Sequence, residues 1–328
     1  MRSEVAVVTG ASAGVGRAVV RRLARDGARV GLIARGEERL EAAAREVESS
    51  GGQVLVLPAD VADPTAMEDA AERVERELGP IDIWINNAMA TIFAPAWEIE
   101  PEEFRRATEV TYLGTVWGTM AALRRMRERD HGTIVQVGSA LAYRAIPLQA
   151  PYCGAKAAIR SFTEGLRTEL LHEGSKVRIT MVQLPAHNTP QFEWGRTRMP
   201  RHPQPVPPIF QPEVAADAIV HSARHPRREL YVGWPTVKVV LGEKLAPWLI
   251  DRYLARTGFD SQQTEEPVDR SRPDNLFEAA PGEYGAHGTF DSEAKDRSLQ
   301  LWLNLHRRTL AAGALAGLGA LRLATRRR

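Results

Sequence analysis

The run Val5-Ala6-Val7-Val8 leads directly into Thr9-Gly10-Ala11-Ser12-Ala13-Gly14-Val15-Gly16, and this join decides how the rest of the chain is read. An apolar run of that length reads as a buried strand. Glycines at 10, 14 and 16 let the backbone turn sharply and come close to a diphosphate. Residues 15–25 then carry a helical pattern that buries Val15, Ala18, Val19 and Leu23. The helix start offers free N–H groups and a positive dipole end to an anion. A glycine cluster alone marks little more than a strand-to-helix turn. Its place between the first strand and the first helix is the context a dinucleotide site requires.

Outward from this turn the pattern repeats. Apolar runs recur at Arg29 to Ala34, Val54 to Leu57, Ile81 to Ile85, Thr133 to Val137 and Val177 to Val182. Continuous apolar runs bounded by turn residues suit strands covered on both faces, as in a parallel sheet. Between them lie helix stripes, Leu40-Ala43-Ala44-Val47 and Met67-Ala70-Ala71-Val74-Leu78. Asp63-Pro64 provides a cap and a first-turn proline for the second. Strands alternating with helices predict an α/β, Rossmann-type doubly wound parallel sheet. The 328 residues, 44% hydrophobic, suffice for one such domain, placed at 1–235, with a C-terminal extension at 236–328.

Composition excludes several classes. A net charge of +2 calls for no nucleic-acid partner. The single cysteine, Cys153, rules out an intramolecular disulfide and fits a reducing, cytoplasmic compartment. The chain enters its first strand at once, which argues against a secretory leader. No pattern for a metal site stands out.

The second strand ends Ile33-Ala34-Arg35-Gly36, with Arg39 one helical turn on. A site for NAD usually has a carboxylate here for the ribose hydroxyls. A guanidinium instead pairs with a 2′-phosphate, so Arg35 points to NADP(H) over NAD(H), unless it is a solvated helix-start arginine. Asp60-Val61 after the third strand reads either as an acceptor for the adenine amino group or as a loop cap.

Ser139 ends the fifth strand, and Tyr152 and Lys156 follow four residues apart on a helical pattern, stacked on one face. A free tyrosine titrates near ~10, and a neighbouring ammonium is expected to lower that value toward the working range. Ser139 can donate to a substrate oxygen on which charge develops. A lone Tyr-x-x-x-Lys is common on helix surfaces; the glycine turn and the strand-end serine reverse the balance.

With these residues in place the chain resembles the short-chain dehydrogenase/reductase family. The resemblance rests on Thr9-Gly10-x-x-x-Gly14-x-Gly16, Asp60-Val61, Asn86-Asn87-Ala88, Val137-Gly138-Ser139 and Tyr152-x-x-x-Lys156, and spans about residues 3–235. It implies a sheet of about seven strands, Tyr152 as acid/base, Lys156 also on the nicotinamide ribose, and Ser139 on the substrate oxygen. It also implies cofactor contacts from Ser12, Ala13, Val15, Asn87, Ala88, Pro185 and Thr189, and a homodimer or homotetramer. Three departures stand out. Met89 replaces a usual glycine, and Ala186-His187 replaces another. Thr111 stands where the family carries a catalytic asparagine that holds a relay water. A threonine hydroxyl has fewer donors, so a working but slower relay is expected.

Residues 185–212 are proline-rich, a long loop of the kind that is usually functional or disordered. Its Phe192, Trp194, Met199, Ile209 and Phe210 read as walls of an apolar substrate pocket or as anchors of the loop; His187 reads as a substrate contact or a solvated histidine. Residues 256–298 are polar and read as surface-wrapping or partly disordered. Leu310 to Leu321 is apolar between arginines. It is too short to span a bilayer, for which ~20 residues are needed. Packing on the domain or a second subunit is favoured over peripheral membrane contact. The function expected is an NADP(H)-linked oxidoreductase interconverting a carbonyl and an alcohol on a small, apolar substrate. The alternatives are an NADP-binding sensor or scaffold with weak turnover, and a 3-oxoacyl reductase.

Overall fold

The computed structural model describes residues 3–269, 271–307, 309 and 310. Seven strands form one parallel sheet: β1 (Val5–Thr9), β2 (Arg29–Ala34), β3 (Val54–Pro58), β4 (Ile83–Asn86), β5 (Thr133–Ser139), β6 (Arg178–Leu184) and β7 (Glu229–Tyr231). Their order across the sheet is β7-β6-β5-β4-β1-β2-β3. The direction of winding reverses between β1 and β4, so a crevice opens at the carboxyl ends of those strands, where ligands bind in such sheets.

Helices cover both faces. α1 (Gly14–Arg25) and α2 (Glu37–Ser49) lie on one face. α3 (Pro64–Glu77), α4 (Pro101–Thr108), α5 (Gly114–Arg129) and α6 (Ala150–His172) lie on the other. The expected stripes are the buried ones: Leu40, Ala43 and Val47 of α2 and Met67, Ala71 and Val74 of α3 face the core. Each leucine buried this way stabilises the fold by about 1.5–3 kcal/mol. Asp63 caps α3, its carboxylate accepting from the N–H groups of Thr65 and Ala66.

Between α4 and α5 the helix widens into a π-helical turn, Glu109–Leu113. Such bulges gather at functional sites.

The proline-rich loop is tied down at several points. It contains α7 (Gln191–Trp194), and Arg196–Thr197 pairs in parallel with Ile92–Phe93. Arg201–Pro203 pairs antiparallel with Gln263–Pro267. After α8 (Pro212–Arg224) and β7 come α9 (Gly233–Leu245), α10 (Pro247–Thr257) and α11 (Leu299–Leu305). The residues between α10 and α11 run back as a strap over the carboxyl edge of the sheet. Its anchors are buried side chains: Leu276, Ala280, Ala286 and Phe290. Of the apolar stretch 310–321, all but Leu310 lies outside the described residues.

Candidate active site

A cavity of about 930 Å³ occupies the crevice. The catalytic and cofactor residues expected from the sequence line it, Ser139, Tyr152, Lys156, Arg35, Asp60 and the turn residues 10 and 12–15 among them, while Gly16 and Thr111 lie behind the wall. Gly10 and Gly14 have φ of 65° and 56°, the left-handed region that favours glycine. A Cβ on Gly16 would lie 2.1 Å from Gly10 O, so only glycine fits where α1 meets the turn. Asn87 locks this turn to β4. Its Nδ2 donates to Thr9 O at 3.0 Å, and Thr9 Oγ1 accepts from the N–H groups of Asn87 and Ala88.

At the adenosine end the arginines divide their work. Arg35 donates to Phe277 O at 2.7 Å and also to Asn275 O, so the strap already takes up its guanidinium. Arg39 is buried on the cavity wall, lies over the Trp194 and Tyr284 rings at 5.0 and 5.7 Å, and has an Nη1 with no partner. The sequence placed Arg35 first; the structure leaves the open donor on Arg39. Asp60 is likewise engaged, accepting from Ala62 N at 3.0 Å and pairing with Arg106.

The strap also meets the phosphate turn. Gly14 N donates to Gly285 O at 3.0 Å, and Arg17 bridges Tyr284 O and Glu46. No spacing in the sequence connects residues 17 and 284, so only tertiary structure reveals Tyr284 beside Arg17 and Arg39.

At the reacting end, Ser139 Oγ accepts from Leu141 N at 3.1 Å, which leaves its own proton to donate. Lys156 is buried on α6, with Nζ donating to Val137 O at 2.7 Å and lying 5.5 Å from the Tyr152 ring centroid. Withdrawal from water lowers its pKa to about 8. Tyr152 keeps a partly open face on the cavity, yet the protein packed around its hydroxyl pushes its pKa up to about 12. A hydrogen bond from Ser139 pulls the other way and is the smaller effect. This corrects the sequence expectation: in the protein alone, desolvation is the largest effect on the phenol, and Tyr152 is held protonated.

Thr111 also departs from expectation. It sits in the π turn, fully buried, and its hydroxyl donates to Ala90 O and accepts from Ala90 N, both at 3.0 Å. Its one proton is spent on the Asn87-to-Ala90 wall, so it does not stand in for an asparagine donating to a relay water. His187 is buried. Its Nδ1 lies 3.0 Å from Pro185 O and must donate to it, leaving Nε2 as an acceptor without a partner on the cavity wall. Burial lowers its pKa to about 4, so it is neutral near pH 7.

The apolar loop residues split. Phe192, Trp194 and Phe210 line the cavity. Met199 and Ile209 do not; they pack with Phe93, Leu148 and Phe290 in a small separate core that anchors the loop.

The family model described as short chain dehydrogenase matches residues 4–198. The chain belongs to the short-chain dehydrogenase family. It is therefore an NAD(P)-dependent oxidoreductase. Among its relatives, the protein named uncharacterized oxidoreductase YxnA of Bacillus subtilis is 30% identical over 98% of this chain and 90% of its own length. A fatty acyl-CoA reductase of Acinetobacter baylyi is 30% identical over 70% of this chain and 76% of its own. The alcohol dehydrogenase of Thermococcus sibiricus, solved with 5-hydroxy-NADP, superposes with a TM-score of 0.60 at 27% identity, covering 70% of this short-chain dehydrogenase and 96% of that chain.

Proposed function

We propose that this short-chain dehydrogenase is an NADP(H)-dependent reductase of apolar ketones or aldehydes, with Tyr152 as the proton donor. The observation that carries the reading is one cavity wall on which a buried cation with an open donor, Arg39, stands at one end and Ser139, Tyr152 and Lys156 stand at the other. The glycine turn, into which no Cβ fits at Gly16, and the orphaned Arg39 Nη1 suit a dinucleotide that carries a 2′-phosphate.

When bound, the reduced nicotinamide supplies the hydride. The chain's own residues supply position and proton. Ser139 and Tyr152 converge on a carbonyl oxygen, and Tyr152 transfers its phenolic proton to that oxygen as charge develops there. A phenol that is protonated near neutral pH can act as the acid in the reductive direction. The ammonium of Lys156 beside the ring stabilises the phenolate left behind. Phe192, Trp194 and Phe210 exclude water and favour an apolar substrate. His187 Nε2 can only accept, so it suits a donor on the ligand. The triad geometry does not favour the sensor reading, and no feature of the cavity selects the acyl carrier of a 3-oxoacyl reductase.

The test is a screen of ketones and aldehydes graded in chain length, followed by loss of nicotinamide absorbance. Turnover is expected with NADPH above NADH, rising with apolar chain length. A flat response to chain length, or a preference for NADH, would count against this reading.

A further inference from the structure

α9, α10 and α11 carry their apolar residues on the outside. On α9, Trp234, Leu241 and Leu245 fall at helical spacing on one exposed stripe, with Leu245 82% exposed. On α10 the exposed residues are Trp248, Leu249 and Tyr253, and on α11 they are Leu299, Trp302 and Leu303. α9 packs against both other helices, and Trp234, Tyr253 and Leu299, one exposed residue from each, meet at the same cavity wall. Scattered exposed apolar residues are normal, but a contiguous aromatic patch marks a docking site.

Two further features say what docks there. The first is charge. Lys238, Lys244, Arg252 and Arg256 stand exposed on α9 and α10. The two carboxylates of these helices, Glu243 and Asp251, are both paired with Arg144 at the side. From Arg297 to Arg328 the sequence holds seven arginines and no acidic residue, and it continues beyond α11 into the apolar run 310–321. The second feature is the position of the cavity mouth. Trp234, Tyr253 and Leu299 belong both to the exposed patch and to the cavity wall that leads toward Tyr152.

We infer that the α9–α11 face docks on an anionic lipid bilayer and that the substrate, a lipophilic carbonyl compound, enters the cavity from that bilayer. Aromatic and aliphatic side chains enter the headgroup boundary while flanking lysines and arginines meet anionic lipid. A second copy seated on this face would close the mouth and bring like charges together, which costs affinity. Among the described residues no helix is long and apolar enough to cross a membrane. The entry of substrate rests on the proposed reductase function; the docking itself does not.

The experiment uses the full chain with NADP(H) and vesicles of phosphatidylcholine with or without phosphatidylserine, read by co-sedimentation. The parent chain should pellet with the phosphatidylserine vesicles, less with phosphatidylcholine alone, and less as salt rises. The triple variant Leu245→Ser, Trp248→Ser, Leu249→Ser changes no residue of the cavity wall. It should lose about tenfold or more in vesicle partitioning. Its thermal midpoint and its turnover of a water-soluble carbonyl should match the parent, while turnover of a long-chain carbonyl presented in vesicles falls. Equal vesicle binding by parent and variant would overturn the inference. So would a parent that ignores vesicles and is a dimer which the variant dissociates. If no carbonyl is turned over at all, the reductase reading fails while the sedimentation result still judges the docking face.

Discussion

The helices that cover the sheet and the helices that follow it use the same three-and-four spacing in opposite senses. In α1, α2 and α3 the apolar stripe faces the core and the charges face water. In α9 and α10 the apolar stripe faces out. A stripe of that spacing always seeks a partner. The first set finds it in the sheet, and this half of the molecule fixes the reacting groups. The second set finds none among the described residues, and this half surrounds the entrance to those groups. Chemistry is thus assigned to residues 5–184, and access and retention to the segment after β7.

Substitutions in the two halves should separate accordingly. The largest effect is expected from Lys156→Met, which removes the buried ammonium beside Tyr152. Turnover should drop about 10²–10⁴-fold on every substrate. Lys156 also ties activity and stability together with opposite signs. Its pKa is lowered to about 8 in the folded protein from an ordinary 10.5. Above pH 8 the folded protein loses this proton while the unfolded chain keeps it, so the unfolded state binds more protons and stability rises with pH over that window. Reductive activity should fall over the same window, because the cation beside the phenolate is gone. Activity–pH and melting–pH profiles of parent and Lys156→Met check both limbs; in the variant neither limb should appear.

A smaller and more selective loss is expected at the cofactor end of the core half. Arg39→Ala should raise the KM for NADPH about tenfold and leave that for NADH and the kcat nearly unchanged, since a charge-assisted contact to phosphate is worth roughly 1.5–3 kcal/mol. Arg35→Ala should act mainly by loosening residues 275–277, raising the KM for both nucleotides alike. If Arg35 rather than Arg39 carried the discrimination, steady-state kinetics with the two cofactors would show it. The smallest effect should come from Thr111→Val, which strips both hydrogen bonds to Ala90. It should cost about 1–3 kcal/mol in stability with a nearly unchanged pH profile. A shifted pH profile would return Thr111 to the proton relay.

Much of the core half was legible in the sequence because its signals are local. Buried parallel strands are continuous apolar runs, and the helix stripes and the Asp63 cap lie within a few residues of each other. The glycine turn and the Tyr152–Lys156 pair are likewise set by short spacings. What escaped depends on distant parts of the chain. Arg35 reads as a free guanidinium until residues 275–277 are seen over it. Thr111 reads as a water holder until Ala90 is found against it. Tyr152 reads as acidified because spacing shows the ammonium but not the packing that desolvates the phenol. The split of the loop residues between cavity and anchor depends on Phe290, about eighty to a hundred residues further along. The outward stripes of α9 and α10 are visible as periodicity, but which way they face is a property of the fold.

The central claim is that the Tyr152 phenol delivers the proton, and single-turnover reduction by Tyr152→Phe preloaded with NADPH tests it most directly. The account predicts that the variant retains the nucleotide with near-parent affinity yet oxidises it on carbonyl addition at least about 10²-fold more slowly. Oxidation of bound NADPH at the parent rate, with the nucleotide held as tightly, would contradict it.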